Sequence, residues 1–136
     1  MQAHDWFRPV AAAVGAALSY LFGGWNALLG VLLFLAVLDY ASGVTAAALA
    51  GNLSSRVGAH GIARKVGMFA VVAVGHLIDG ALGDGHIIRD AAIFWYIANE
   101  VLSVIENMGQ IGVPIPPVIA RAVEVLRGRG EGAQVK

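Results

Sequence analysis

The sequence predicts an all-α integral membrane protein of about four transmembrane helices followed by a short C-terminal amphipathic helix. Three observations carry that reading. Asp39 is the only charged residue between Arg8 and Arg56. Hydrophobic residues make up 58% of the 136 positions and charged ones 13%, against roughly 45–50% apolar and about 25% charged in soluble domains. The polar residues between Asp90 and Ile111 fall on one side of a helix.

The first two helices come from the apolar run Val10 to Gly51, 42 residues interrupted at Gly23-Gly24. About 20 apolar residues cross the hydrocarbon, so the run holds two passes, over about 9–23 and 25–50. A charged start before an apolar run also describes a signal peptide. Here Asp5 offsets Arg8 and the run continues into a second apolar run, not a polar region, so a retained first helix is expected.

A third helix is expected over 62–82. Arg64 and Lys65 stand at its entry, and His76 and Asp79 fall deep inside it. The fourth, over 90–111, is the least apolar. At 100° per residue Ala92, Tyr96, Asn99, Glu100, Ser103, Glu106, Asn107 and Gln110 share one arc of roughly 120°. Phe94, Ile97, Val101, Val104, Ile105 and Met108 take the other side. Such a helix either lies at the membrane surface or spans with its stripe turned to protein or water. Three prolines among Pro114 to Pro117 force an elbow over 112–117. Helical spacing returns over 118–127, as an amphipathic helix suited to the inner leaflet. The Gly-rich, charged residues 128–136 read as a flexible tail.

Charge sets an orientation. Asn52 to Lys65 reads as a basic cytoplasmic loop with Arg56, Arg64 and Lys65 and no acid, while Asp79 to Asp90 holds three acids and Arg89. Positive residues stay inside, so a multi-pass chain with both termini in the cytoplasm is expected. Gly15 and Ser19 on the first helix, and Gly43 and Ala47 on the second, belong to small-residue ridges at four-residue spacing that let backbones approach closely.

A charge near a helix centre in lipid costs of order 2.5–3.5 kcal/mol. Asp39, His76, Asp79, Glu100 and Glu106 therefore need partners or water. Asp39 is either a carboxyl tied into a packed interface or a water-facing group. His76 and Asp79, three residues apart, form either a structural pair or a proton relay. The stripe Asn99, Glu100, Ser103, Glu106 and Asn107 lines either a pore or an intersubunit seam.

Several classes of function are excluded or unsupported. The chain has no cysteine, so disulfides and thiolate chemistry are absent. No Gly-rich phosphate loop follows a strand, the four histidines lack zinc-helix spacing, and no basic surface suits nucleic acid. No catalytic site, metal or cofactor is expected.

The run LDYASGVTAAALAGNLSSRVGAHGIARK, then HLID, then RDAAIFWYIANEVLSVIENMGQIGVPIPPVI resembles the phage holin family that includes the clostridial toxin-secretion holins. The resemblance covers about Leu38 to Leu126 and is most specific from Phe94 to Pro117. It implies a non-enzymatic protein that oligomerises in the cytoplasmic membrane and opens lesions releasing an endolysin or toxin. Its partners would be other copies of itself, membrane lipid and a phage endolysin. Two other classes stay open from the residues alone: a small ion- or proton-coupled transporter, and a non-conducting membrane scaffold.

Overall fold

The computed structural model describes residues 5–134. Five helices follow one another: α1 (Phe7–Phe22), α2 (Ala27–Leu49), α3 (Ser55–Leu82), α4 (Ile87–Ile111) and α5 (Pro117–Gln134).

Local chemistry sets the boundaries. α1 stops at Gly23, whose φ of 73° is a left-handed conformation that glycine adopts without a Cβ clash, and whose N–H donates to the Ser19 carbonyl at 2.8 Å. Asn26 then caps α2, its Oδ1 accepting from the Leu29 N–H at 2.8 Å. Ser54 caps α3 in the same manner, its Oγ accepting from the Val57 N–H at 3.2 Å. α5 opens on Pro117, whose fixed φ and missing N–H suit a first helical position.

Three boundaries depart from the sequence expectation. The third helix begins at Ser55 instead of 62, because the Ser54 cap starts it before Gly58 and Gly61. Arg56, Arg64 and Lys65 therefore lie on α3 and not in a loop. The fourth begins at Ile87, not 90. The fifth runs to Gln134, so positions 128–134 of the expected flexible tail are helical, and 135–136 fall outside the described residues. Good helix formers alternate with glycines there.

Two helices, α2 with 23 residues and α3 with 28, are long and apolar enough to cross a membrane. α1 is apolar but has 16 residues, and α4 is amphipathic. α2 and α4 run parallel with α3 antiparallel between their ends, and their shared core is Leu29, Leu32, Ala36, Met68, Val72 and Ile93. Phe22 meets Phe69 edge to face at 6.3 Å, bringing the end of α1 onto α3.

Among the described residues only eight apolar side chains are buried, whereas Phe34, Val37, Val66, Val74, Phe94 and Trp95 are largely exposed. So much exposed apolar surface around a small core matches a lipid surround.

Candidate functional site

α2 brings Asp39 to its middle, 12 residues after Ala27 and 10 before Leu49, or about 18 and about 15 Å along the axis. At the same level α3 presents Lys65 and α4 presents Glu100. Lys65 Nζ donates to both Asp39 Oδ2 and Glu100 Oε2. The other Asp39 oxygen, Oδ1, accepts from Asn107 Nδ2 at 2.8 Å, and that amide also reaches the Asp39 carbonyl at 3.1 Å and Ser42 Oγ at 3.0 Å. Side-chain exposure is 19% for Lys65, 14% for Asp39 and 10% for Glu100. Three helices are thus joined by one triad of charges with an amide clamp. Interactions of this kind strengthen where water is scarce.

Asp39 thus has lysine and asparagine as its partners. Gly43 permits the clamp: a Cβ there would stand 3.4 Å from Asn107 Nδ2. A groove of about 790 Å³ opens onto the triad, and Tyr40, His60, Arg64, Asn99 and Trp95 line it.

The stripe on α4 divides. Glu100 and Asn107 turn inward to α2 and α3. Ser103 and Glu106 meet α5 instead, where Arg127 Nη2 donates to Ser103 Oγ at 3.0 Å and pairs with Glu106 at 2.8 Å, both charges being more than 40% exposed. Asn99 is exposed and donates to the Trp95 carbonyl of its own helix.

A second polar cluster closes the opposite end of the bundle. Asp79, 1% exposed, accepts from the Ile88 and Arg89 N–H groups at 2.9 and 2.8 Å and so caps α4 from α3. Gly75 lets the strand of contacts close: a Cβ there would stand 3.2 Å from Arg89 Cα. Arg89, 4% exposed, donates to the Phe22 carbonyl at the end of α1 and pairs with Asp90. His76 is not bonded to Asp79. Its ring stacks on His86 with centroids 6.0 Å apart, and its Nδ1 is buried without a hydrogen-bond partner among the described residues. In the loop beyond α3, burial pushes the Asp84 carboxyl above the usual carboxylate range, and its hydrogen bond with Asp79 and the charge of Asp79 push the same way.

The small-residue ridges fare differently. Gly43 and Ala47 lie on α2, which packs mainly on α4, and Gly43 touches Asn107. A Cβ added at Gly15 would meet nothing, and Ser19 is exposed. Both line an apolar groove of about 540 Å³ with Leu18, Phe22, Trp25 and Phe69.

Sequence reading does not single out Ser42 or Arg89, and it gives Lys65 an interfacial place. The available signal is charge balance: two carboxylates at mid-helix call for a cation, and the third apolar segment offers Arg64 and Lys65.

Comparison with known proteins agrees with the resemblance. The model of the Bacteriophage holin family matches residues 16–128. An uncharacterised protein of Halalkalibacterium halodurans is 45% identical over 123 residues, covering 87% of this chain and 91% of that protein. An uncharacterised protein of Clostridium perfringens is 32% identical over 118 residues, covering 86% and 89%. A protein of Bacillus phage phi105 named "Probable holin" is 39% identical over 110 residues, covering 81% of each chain. No solved structure matches. With a match across most of its length, the chain belongs to the bacteriophage holin family.

Proposed function

We propose that this protein oligomerises in the bacterial cytoplasmic membrane and opens lesions through which a phage endolysin reaches the wall. The observation that carries the reading is the holin-family match across 16–128, which includes every residue of the triad and the whole of α4. The arrangement of polar groups supports it. In a single copy Glu100 pairs with Lys65 of α3 and Asn107 bonds α2, while Asn99, Ser103 and Glu106 border a groove that lipid would fill poorly. Gathering many copies gives those groups a common polar lining.

In this reading α1 to α4 all span, the start of α3 with Arg56 faces the cytoplasm, and the acidic α3–α4 loop faces outward. Both termini are then cytoplasmic, and α5 rests on the inner leaflet with Arg121 among its headgroups. The exposed apolar faces of α2 and α3 meet lipid. No catalytic step and no cofactor enter the reading.

The test is expression in bacteria with a cytoplasmic endolysin that lacks an export signal, following turbidity and release of a cytoplasmic enzyme. Abrupt lysis that needs both proteins is expected. Membrane-inserted protein with no lysis overturns the reading; saturable, gradient-driven flux of one solute would then assign a transporter, and leak-free assemblies a scaffold.

A further inference from the structure

The triad has two carboxylates and one ammonium. Asp39 Oδ2 and Glu100 Oε2 accept from the same Nζ, so the two carboxylates approach each other closely at mid-helix. Like charges held together in a poorly solvated site do not both ionise freely.

The other charged or titratable groups around the groove leave this imbalance in place. On α2, Tyr40 donates its hydroxyl to the Gly58 carbonyl. On α3, His60 and Arg64 are exposed, and neither bonds a triad carboxylate. On α4, Tyr96 lines the groove without bonding a triad residue, and Glu106 is taken by Arg127 of α5. Lys65 is therefore the one cation in contact with Asp39 and Glu100 among the described residues.

The two carboxylates are not equivalent. Asp39 receives a donor on each oxygen, Lys65 on Oδ2 and Asn107 on Oδ1. Both Asp39 oxygens are thus occupied as acceptors. Glu100 receives Lys65 on Oε2, and no described donor reaches Oε1.

We propose that the Asp39–Lys65–Glu100 triad is a binding site for a single proton, carried by Glu100 Oε1. Uptake of that proton makes the triad neutral, and the groove is its route in and out. The site needs membrane insertion but not lesion formation, so it stands or falls apart from the lytic function.

The test is infrared spectroscopy of the full chain in phosphatidylethanolamine–phosphatidylglycerol vesicles at neutral pH, reading the C=O stretch of protonated carboxylic acid and its shift in deuterium oxide. The wild-type protein should show a carboxylic acid band that Glu100→Gln removes and Glu106→Gln leaves. Asp39→Asn should also remove it, because a lone Glu100 facing Lys65 ionises. Lys65→Met should enlarge it, with both carboxylates protonated. Absence of the band in the wild-type protein overturns the proposal without recourse to any variant. So does a band that survives Glu100→Gln and disappears in Asp84→Asn, which belongs to the α3–α4 loop.

Discussion

Arg89 donates through Nη1 to the carbonyl oxygen of Phe22 at 2.8 Å, 67 positions earlier in the chain, and thereby fastens the end of α1 to the start of α4. α1 has no buried residue of its own. Its attachment rests on this bond, on the Phe22–Phe69 contact and on His76 packed against Gly23. Replacing Arg89 with Met keeps much of the volume and removes the donor. A lost charge-assisted bond costs about 1.5–3 kcal/mol. Hydrogen exchange in lipid nanodiscs should therefore speed up at Gly23, whose N–H bonds Ser19, by about tenfold or more, while Leu32 and Val72 in the core change little. Equal exchange at Gly23 in both proteins would show that the bond does not hold α1.

The triad makes a sharper demand on Lys65. In Lys65→Met the two carboxylates lose their shared cation in a poorly solvated setting, and breaking such a pair costs roughly 3–5 kcal/mol. Denaturation in mixed micelles should show the loss. Adding Glu100→Leu removes the second carboxylate, so Lys65→Met/Glu100→Leu should be less destabilised than the sum of its single variants. Simple additivity would mean that Lys65 and Glu100 do not interact.

The helices and their membrane character are legible in the sequence because they rest on local patterns: apolar runs, a 100° stripe, and Gly or Pro where a helix must end. The α3 start is less so, since Gly58 and Gly61 read as loop and the single Ser54 cap outweighs them. Those glycines also admit the Tyr40 ring, whose Cε2 would stand 3.2 Å from a Cβ at Gly61. This is a tertiary reason that no local pattern carries. The stripe on α4 shows which residues share a side but not that Glu100 turns toward α3 and Asn107 toward α2 while Glu106 turns toward α5, because the partners lie on other helices, as far as 68 positions away. The link from Asp79 to the N-terminus of α4 is hidden for another reason: its acceptor role is toward backbone N–H groups, which have no sequence signature.

The α3–α4 loop should respond to pH through Asp84. Its carboxyl is raised above the ordinary value of 3.8, chiefly by burial and then by Asp79. The folded state thus binds this proton more tightly than the unfolded chain does. The resulting stability is whole below the ordinary value and is lost as pH rises through the raised one. As pH rises from the ordinary value of 3.8 through the raised one, the wild-type thermal midpoint in micelles should fall relative to that of Asp84→Asn, whose amide cannot titrate. Parallel curves for the two proteins would rule out this role for Asp84.

Glu100 and Glu106 share the α4 stripe but should separate in experiment. Arg127 and Glu106 are both more than 40% exposed, so Glu106→Leu should change stability by no more than about 1 kcal/mol. Glu100 is buried against Lys65, and Glu100→Leu trades one carboxylate of an unbalanced triad for an apolar side chain, so its melting curve should move with pH less than the wild-type curve does. In the endolysin co-expression assay both variants should insert in the membrane and lyse late or not at all. Glu106→Leu removes a charge from the surface that gathered copies would share, and Glu100→Leu alters the triad onto which the groove opens. Lysis on the wild-type schedule by both variants would confine the stripe to holding the bundle together. Late lysis by Glu100→Leu alone would mean that the triad, and not the groove edge at Glu106, governs when lesions open.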